Sequence, residues 1–436
     1  MDAGLLTILI FGSLALTLAL GVPIAMALGG LSAAFIAVFW GPNALSILVL
    51  KAWSLASSYE LLAVPLFIFM ASLLDRSRIA DDLYQTLGML LRKRPGGLAV
   101  GTILICTIFA AMTGISGAAT VSMGLLALPA MLRQGYNPHL ALGTIAAGGS
   151  LGILIPPSIT MIIYGMVAQV SIGKLFVGGV APGLLLAGLF IAYIVIRTGR
   201  NPGLAPGAPP ADCVRRDFRR VLRTLILPAG LVFIVLGSIL TGLASITEAA
   251  ALGTVGALLA TLARRGRAGR PVHEATLQTL KLSMMIFWIV IGAAAFAALY
   301  TGLGAGTLIR DAVLAFGLNP YVVLSGMMGL LLLLGMVMET TGIIMIAVPV
   351  LAPISQALGF DPVWFGVLFI IVMEIGFLTP PFGFNLFYLR GVAPPAVTTG
   401  DIYRSTAPFV LLMLLGLVIC IVFPMMITGL PMLAFG

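Results

Sequence analysis

Two pairs of adjacent prolines lie inside long apolar stretches of the sequence. Pro156-Pro157 follows Gly152, and Pro380-Pro381 follows Gly376 at the same spacing, 224 residues later. A proline has no backbone donor and clashes with the preceding helical turn, so each apolar helix must stop at its pair. Carbonyls freed in this way cost several kcal/mol each inside a bilayer unless something binds them. A bound cation is one suitable partner, and the tip of a neighbouring helical hairpin is another.

Small polar residues interrupt two further apolar regions at their centres. Thr113-Gly114-Ile115-Ser116-Gly117 lies within residues 97–132, and Glu339-Thr340-Thr341-Gly342 lies within residues 320–357. The hydroxyls of these two segments, together with that of Thr379, are oxygen ligands of the kind that a hard cation such as Na⁺ binds. The alternative for each hydroxyl is a hydrogen bond to the backbone of its own helix.

Two carboxylic acids also lie within these apolar stretches. Glu339 is at the centre of the second interrupted region, and Glu374 precedes Gly376 by two residues. An acid placed in the hydrocarbon of a bilayer is costly, so it is a functional candidate by default. Glu339 is suited to balance the charge of a bound cation. Glu374 has two interpretations, a functional group of the site or a neutral acid that forms a structural hydrogen bond.

The composition of the chain supports this membrane interpretation. Hydrophobic residues make up 61% of the chain and charged residues only 8%, whereas a soluble domain carries roughly 25% charged residues. The sequence therefore predicts an all-α polytopic membrane protein that is solvated by lipid. The net charge is +9, but the basic residues form short clusters between apolar runs, which is a topology signal and not a nucleic-acid groove. The three cysteines have neither metal-binding nor disulfide spacing.

Apolar runs predict the membrane crossings and two shorter elements. The crossings lie near residues 4–20, 22–40, 61–74, 138–168, 176–197, 221–241, 244–263, 276–300, 362–393 and 405–428. Each half of the interrupted regions 97–132 and 320–357 is shorter than the roughly 20 residues that a full span needs. We therefore expect two re-entrant helical hairpins, and the alternative for each is a pair of ordinary spans joined by a short loop. The crossings 138–168 and 362–393 are the two broken helices.

The distribution of basic residues predicts the orientation. This topology places all but three of the 23 Lys and Arg residues on the cytoplasmic side and leaves Lys51, Lys174 and Arg310 outside. Both termini then lie on the outer, periplasmic side. Five crossings separate the two interrupted regions, and because five is odd, the second region enters the bilayer from the opposite face. The sequence therefore predicts an inverted-topology repeat, which is typical of secondary transporters.

Family motifs extend over nearly the whole chain. The longest stretches, 113–165 and 335–393, contain GYNPHLALGTIAAGGSLGILIPPS and EIGFLTPPFGFNLFY, and the supporting stretches are LGVPIAMALG, LLAVPLFIFMASLL and ITEAAALG. On these motifs the chain resembles the large membrane subunit of TRAP (tripartite ATP-independent periplasmic) transporters. The resemblance implies an elevator-type, Na⁺-coupled importer of small organic acids in a bacterial or archaeal cytoplasmic membrane.

The resemblance also implies the domain organisation and the partners. The two hairpins and two broken helices are expected to form a mobile transport domain, and the other helices a scaffold. The expected partners are a small four-helix membrane subunit, made as a separate polypeptide, and a periplasmic substrate-binding protein. Na⁺ is the coupling ion, and no organic cofactor or nucleic acid is expected. The expected divisions are scaffold helices at 1–75 and 221–300, a first repeat at 76–200, a cytoplasmic linker at 201–220 and a second repeat at 301–436.

The resemblance maps the Na⁺ sites to the places where hairpin tips meet broken helices. Contacts to Na⁺ are expected at Ser116, Gly117, Glu339, Thr340 and Thr379. The complete expected sodium and substrate site comprises Thr113, Gly114, Ser116, Gly117, Gly152, Pro156, Pro157, Glu339, Thr340, Thr341, Gly376, Thr379 and Pro380. Two positions depart from the family pattern, since Glu339 replaces an expected aspartate and Ala71-Ser72 replaces a more polar pair.

Three other functions fit parts of the sequence. A stand-alone Na⁺/dicarboxylate symporter has a similar architecture and needs no partner proteins. Gly114-Ile115-Ser116-Gly117 matches the GxSG pattern of rhomboid intramembrane proteases, but His139 and His273, the two histidines of the chain, both fall at cytoplasmic helix edges. A channel is disfavoured because no ring of like charges is evident.

The inverted repeat makes a direct prediction about topology. Single cysteines at residues 135 and 359, in a chain without its native cysteines, should react with a membrane-impermeant thiol reagent from opposite faces of the membrane. The mirrored arrangement places the first position in the cytoplasm and the second outside. Labelling of both positions from one face would contradict the repeat.

Overall fold

Every regular element in the described part of the chain is helical. The computed structural model describes residues 3–77, 79–91, 94–207, 218–265, 269–304, 310–311, 315 and 317–435. In chain order the α-helices are α1 Ala3–Ala19, α2 Ile24–Phe39, α3 Ser46–Ala56, α4 Ala63–Arg76, α5 Ile79–Leu91, α6 Gly97–Thr113, α7 Ser116–Arg133, α8 Pro138–Ser150, α9 Ile159–Ala168, α10 Ile172–Arg200, α11 Phe218–Leu240, α12 Ile246–Arg265, α13 Gly269–Gly302, α14 Pro320–Gly335, α15 Thr340–Ala357, α16 Pro362–Phe377, α17 Phe384–Val392, α18 Thr399–Val422 and α19 Met425–Phe435. Short 3₁₀ helices lie at Pro42–Leu45, Glu60–Leu62, Leu151–Ile153 and Pro202–Leu204.

Helices of the two sequence repeats begin and end at equivalent residues. A shift of 224 residues carries both ends of α7 onto the ends of α15, and the start of α8 onto the start of α16. The starts of α8 and α16 are specified in the same way, because Asn137 and Asp361 cap them and a proline occupies the next position. Gly135 and Gly359 precede these caps at φ of +80° and +84°, where a side chain would be strained. Equivalent residues therefore build equivalent turns.

The interrupted regions and the broken helices divide near the expected residues. Residues 97–132 fall on α6 and α7, joined at Gly114-Ile115, and residues 320–357 fall on α14 and α15. The first broken helix consists of α8, the 3₁₀ turn Leu151–Ile153 and α9, and the second consists of α16 and α17. Both Pro-Pro bonds lie in the gaps between the half-helices and both are cis. Four segments used below are the first tip (113–117), the second tip (336–342), the first break (151–158) and the second break (378–383).

Some elements differ from those that hydropathy predicts. By length and composition, α10, α12, α13, α15 and α18 qualify as membrane spans within the described residues, and a sixth span is possible if the pair Pro42–Ala56 and Glu60–Arg76, bent by 62°, counts as one. This number is below the ten predicted crossings because several of those are built from shorter apolar helices, such as α1 and α2. The sequence did not predict α3 or α5, and the crossing expected at 405–428 ends in a break between α18 and α19.

The first part of the expected linker 201–220 packs on the first repeat. Ala205 accepts a hydrogen bond from the backbone of Gly96 at 3.0 Å, and Leu204 accepts one from Asn137 at 2.7 Å. Residues 208–217 of the linker, with Cys213, lie outside the described residues, as do residues 305–309, 312–314 and 316 at the start of the expected second repeat. The described start of the linker is thus held by backbone hydrogen bonds to the first repeat.

A row of threonines joins two helices of the expected scaffold. Thr247, Thr254 and Thr261, spaced by seven residues at or within α12, donate to backbone carbonyls 188 residues earlier, at distances of 3.0, 2.9 and 3.4 Å. The acceptors are Tyr59, Leu66 and Leu73, on α4 and the turn before it. Since the offset is constant, α4 and α12 run parallel. Small residues at a second interface bring α2 and α13 together, where a Cβ on Gly292 would lie 2.6 Å from the Ala25 carbonyl oxygen.

Candidate functional site

The first tip fits directly against the first break. A Cβ on Gly114 would overlap the carbonyl oxygen of Pro157, and the φ of Gly114 is +63°. A Cβ on Gly152 would lie 2.9 Å from the backbone nitrogen of Ser116. Real Cβ contacts are not so short, so only glycine permits this approach of the two backbones. The glycines of the expected site therefore act by bringing backbone oxygens and amides of the two segments together.

The second tip meets the second break in a similar way. A Cβ on Gly376 would lie 2.8 Å from backbone atoms of Gly335, at the end of α14. The backbone nitrogen of Phe382 donates to the carbonyl of Met336 at 3.2 Å. Both tips are thus packed on the break of their own repeat, as the sequence predicts for the meeting of hairpins and broken helices.

Glu339 caps the helix that leaves the second tip. One of its carboxyl oxygens accepts from the backbone nitrogen of Thr341 at 3.1 Å, and the other accepts from the hydroxyl of Thr341 at 2.9 Å. The hydroxyl oxygen of Thr340 is buried and has no hydrogen-bond partner among the described residues. An unpartnered buried hydroxyl is the kind of group that a bound ion or substrate would satisfy.

Both tips and both broken helices open onto one cavity of about 150 Å³. The tips contribute Gly114, Ile115, Ser116, Gly117, Glu339, Thr340 and Thr341, and the broken helices contribute Ile153, Ile159, Thr160, Ile163, Phe377, Phe384 and Tyr388. The remaining wall comes from Ile68 of α4 and from Leu282, Met285 and Ile286 of α13. The cavity therefore has a polar side, built by the repeats, and an apolar side, built by two other helices.

Four helices begin at this cavity. Their first residues, Ser116 of α7, Ile159 of α9, Thr340 of α15 and Phe384 of α17, all line it. A helix N-terminus carries a partial positive charge and free backbone N–H groups, which favour an anion. Ile153 and Phe377, where helical segments end, also line the cavity and bring carbonyl groups that favour a cation. Among the described lining residues Glu339 alone has a carboxyl group and none is Lys, Arg or His, so the backbone supplies the positive potential.

The expected hydroxyl ligands are bonded in different ways. Thr113 and Thr379 donate to backbone carbonyls four residues earlier in their own helices, at 2.9 and 2.7 Å. Ser116 instead donates to the side-chain oxygen of Asn385, at 2.6 Å. Thr113 and Thr379 thus form the hydrogen bond to nearby backbone that was the alternative to ion binding. A hydroxyl that donates its proton still keeps its lone pairs, so these bonds leave cation binding open to all three.

Six of the thirteen expected site residues line the cavity, namely Gly114, Ser116, Gly117, Glu339, Thr340 and Thr341. Gly152 and Gly376 lie behind it, in the contacts between tips and breaks. Pro156 lines a second, almost wholly apolar cavity of about 270 Å³ between α6, α10 and α11. Thr113, Pro157, Thr379 and Pro380 belong to the tips and breaks but not to the described cavity wall.

The two breaks differ in their exposure. All residues of the first break are buried, and Ser158 donates to the freed carbonyl of Ile153 at 2.5 Å. In the second break Pro381 is exposed and Phe382 is 49% exposed. The hydroxyl of Tyr403, on α18, donates to the carbonyl of Pro381 at 2.6 Å. In the first repeat, a freed carbonyl thus accepts a hydrogen bond from a side chain of the break itself. In the second repeat, a freed carbonyl accepts one from a side chain of a different helix.

Three residues of this region were not in the expected site. Asn385 is fully buried and joins the second broken helix to the first tip, and Tyr388 lies against Gly117 and lines the cavity. Both follow the second Pro-Pro pair in the motif PPFGFNLFY. A polar side chain within this apolar sequence is the feature from which they could have been predicted. Ser150 donates to the buried Glu374 at 2.9 Å, and this bond joins positions separated by the repeat offset of 224 residues. Glu374 therefore has a structural hydrogen bond and does not line the cavity.

The geometry does not form the catalytic pair of a serine protease. Ser116 bonds to Asn385, whereas His139 Nδ1 lies 3.2 Å from the hydroxyl of Ser405 and 3.3 Å from the carbonyl of Asp401. A nucleophilic serine needs a base within hydrogen-bond reach. Interrupted helices that meet at a small cavity inside a polytopic helical protein are typical of membrane transporters.

The chain belongs to the DctM component family of tripartite ATP-independent periplasmic transporters, whose family model matches residues 11–426. It is therefore a multi-pass transporter permease of a TRAP system and not an enzyme. This membership confirms the resemblance drawn from the motifs and decides against the stand-alone symporter.

Relatives cover almost the whole chain. The C4-dicarboxylate TRAP transporter large permease protein DctM of Pseudomonas aeruginosa is 34% identical over 408 residues, which are 92% of this chain and 93% of the relative. The isethionate TRAP transporter permease protein DctMQ of Oleidesulfovibrio alaskensis is 32% identical, over 94% of this chain and 64% of the relative. The crystal structure of the YdaH transporter of Alcanivorax borkumensis matches with a TM-score of 0.63 and 18% identity, over 92% of this chain and 97% of that one, and shows a shared fold.

The contact between the first tip and the first break predicts the effect of one added methyl group. Gly152→Ala should lower the melting temperature of the purified protein, because the methyl group must displace the backbone of the first tip at a cost of about 1–3 kcal/mol. Gly188→Ala is the matched control, since nothing lies within 4 Å of its added Cβ. Equal melting temperatures for the two variants would contradict the close approach.

Proposed function

We propose that this chain is the translocating subunit of a Na⁺-coupled importer of small organic acids, working by an elevator mechanism. The single observation that carries the proposal is the cavity at which four helix N-termini meet the oxygen atoms of two hairpin tips. The N-termini provide a site for the carboxylate of a substrate, and the carbonyl and hydroxyl oxygens provide sites for Na⁺. Cation and anion then stabilise each other in one small volume.

Na⁺ fits the oxygen donors of the cavity wall and of the adjoining second break. Among the described residues Thr340 has a buried hydroxyl without a partner, and Glu339 places a carboxyl group one residue away. The hydroxyls of Ser116 and Thr379 donate their protons to neighbouring groups and so keep lone pairs free. Oxygen ligands of this kind suit a hard cation. Each net positive charge carried inward across an inside-negative potential of 100 mV contributes about 2.3 kcal/mol to transport.

The proposed membrane topology is supported by the parallel helix pair in the scaffold. The proposed topology has both termini on the periplasmic side, so that α4 and α12 each cross from outside to inside. The constant offset of the bonds from Thr247, Thr254 and Thr261 requires these two helices to be parallel. The topology derived from the distribution of basic residues therefore agrees with a contact pattern that played no part in deriving it.

The position of the cavity supports motion of the two repeats against the scaffold. Ser122 of the first hairpin donates to Asp75, at the end of α4, at 2.7 Å. A Cβ on Gly342, beside the second tip, would overlap the side chain of Ile24, at the start of α2. In the proposed topology Asp75 and Ile24 are both at cytoplasmic ends of scaffold helices. The substrate site then lies toward the cytoplasm, and loading from outside requires the hairpins to move outward and to break these contacts.

The comparisons support two partners and an anionic substrate. We assign to this chain a small membrane subunit as partner, because a relative named DctMQ is longer and this chain covers 64% of it. A periplasmic binding protein is the third component of a tripartite periplasmic system. Relatives are named for C4-dicarboxylates, for isethionate and for ectoine, each of which carries an acidic group that helix N-termini would bind. The substrate of this chain is accordingly an organic acid.

Removal of a predicted hydroxyl ligand tests the coupling ion. Ser116→Ala and Thr379→Ala should each raise the Na⁺ concentration for half-maximal uptake about tenfold. This factor corresponds to about 1.4 kcal/mol, which is the order of magnitude expected when Na⁺ loses one hydroxyl ligand. Uptake of a labelled C4-dicarboxylate is measured in proteoliposomes that contain the small subunit and the binding protein. Thr102→Ala is the control, because this buried threonine also bonds to its own helix but lies outside the site. Wild-type Na⁺ dependence in both site variants would remove these residues from the proposed ligands.

A reversible cross-link tests the motion. In a chain with Cys106, Cys213 and Cys420 replaced by Ala, the pair Asp75→Cys/Ser122→Cys should lose uptake when oxidised and regain it when reduced. The controls are the single variants Asp75→Cys and Ser122→Cys under the same oxidant, since neither can form the cross-link. The expected result is that the oxidised controls still transport, whereas the oxidised Asp75→Cys/Ser122→Cys protein does not. Undiminished uptake by the fully cross-linked pair would rule out the elevator motion.

A further inference from the structure

Asn385 connects the two repeats from behind the site. It is the second residue of α17, directly after the second break, and its side chain is fully buried. Its amide oxygen accepts the hydroxyl proton of Ser116 at 2.6 Å, and its amide nitrogen donates to the carbonyl of Ala146 at 3.4 Å. Ser116 belongs to the first tip, and Ala146 belongs to the first broken helix. One side chain of the second repeat therefore holds two segments of the first.

The direction of the bond to Ser116 decides what that hydroxyl offers to the cavity. A serine hydroxyl has one proton and two acceptor lone pairs. Because the proton is donated to Asn385, the lone pairs of Ser116 are left for another partner. Ser116 lines the cavity and Asn385 does not, so Asn385 acts on the site through Ser116 and not by contact with a bound ion.

The equivalent position in the second repeat lacks such a partner. A shift of 224 residues carries Ser116 onto Thr340, whose hydroxyl is buried and without a hydrogen-bond partner among the described residues. The same shift relates Asn385 to Met161, whose thioether is at most a weak acceptor. The repeat has therefore fixed the orientation of the hydroxyl at one tip and left it free at the other.

We infer that Asn385 is a positioning residue that orients the Ser116 hydroxyl for a cation at the first tip. This inference rests on the proposed Na⁺ coupling and adds a difference between the two tips. Binding at the first tip needs no reorientation of the hydroxyl, whereas Thr340 must turn when its ligand arrives. Pre-organisation of this kind raises affinity by lowering the cost of ordering the ligand group.

The test measures Na⁺ binding without transport. The melting temperature of the purified chain is followed while NaCl replaces KCl at constant ionic strength, because a ligand at free concentration L that binds the folded state stabilises it by RT ln(1 + L/Kd), so that the titration gives the Kd of Na⁺. Asn385→Ala should raise the Na⁺ midpoint, which is the concentration equal to this Kd, by roughly 3- to 10-fold, the range expected for one hydrogen bond. Ser116→Ala should shift it by at least as much.

A matched variant separates positioning from packing. Leu389→Ala, one turn further along α17, also empties buried volume against Gly124 of α7, but the side chain of Leu389 has no polar atom and so makes no hydrogen bond. This variant should lower the melting temperature and leave the Na⁺ midpoint of the wild type unchanged. An equal shift of the midpoint by Leu389→Ala and Asn385→Ala would overturn the inference, because loss of packing would then explain both.

The double variant tests whether Asn385 acts through Ser116. Residues that act as one unit are non-additive, so Ser116→Ala/Asn385→Ala should have the same Na⁺ midpoint as Ser116→Ala. Additive shifts would overturn the inference, and so would a wild-type midpoint in Asn385→Ala. A wild-type protein whose melting temperature is the same in NaCl and KCl would instead overturn the proposed Na⁺ coupling itself, and the two failures are thus distinguishable.

Discussion

The structure depends on one constraint, which is that every backbone carbonyl and amide freed by an interrupted helix must find a partner inside the membrane. Lipid offers none, and each unsatisfied group costs several kcal/mol. The two Pro-Pro pairs create such groups, and the two tips supply part of what they need. Gly114 and Gly152 allow the first tip to reach the first break, and Gly376 does the same in the second repeat. The proposed site for ions and substrate lies where this mutual satisfaction is incomplete, because the remaining oxygens and N–H groups face one cavity.

The freed carbonyls of the two breaks are satisfied in different ways, and the difference follows the exposure of each break. The first break lies entirely within the protein and uses Ser158 for a freed carbonyl. The second break is partly exposed and uses Tyr403 from α18. The buried break is thus completed by a short side chain of its own segment, and the partly exposed break by a long side chain from a neighbouring helix. The repeats therefore share a backbone design and differ in the side chains that complete it.

The sequence predicts the features that local chemistry controls. Proline pairs stop helices and Gly-Tyr-Asn-Pro or Gly-Phe-Asp-Pro starts them, so the interrupted regions, the broken helices and the repeat offset were all available from the printed sequence. The residues that long-range packing controls were not available. Asn385 reaches Ser116 across 269 positions, and the threonines of α12 reach α4 across 188. Hydropathy also missed α3 and α5, because neither is a long apolar run: α3 has 11 residues and contains Lys51, and α5 contains Asp81 and Asp82. Of the candidate site, six residues line the cavity as a group, and Asn385 and Tyr388 needed the structure.

The bond between Ser150 and Glu374 shows why a repeated protein must diverge at particular positions. These residues are equivalent under the repeat offset, and they contact each other. In an inverted repeat, equivalent positions meet only on the pseudo-twofold axis, so the axis of the proposed architecture passes between α8 and α16. Two glutamates at that point would place two buried acids against each other, and two serines would lack the length to bridge the helices. One donor and one long acceptor form a hydrogen bond there, although the second carboxyl oxygen of Glu374 has no partner among the described residues, so the axis is the place where the two halves cannot remain identical.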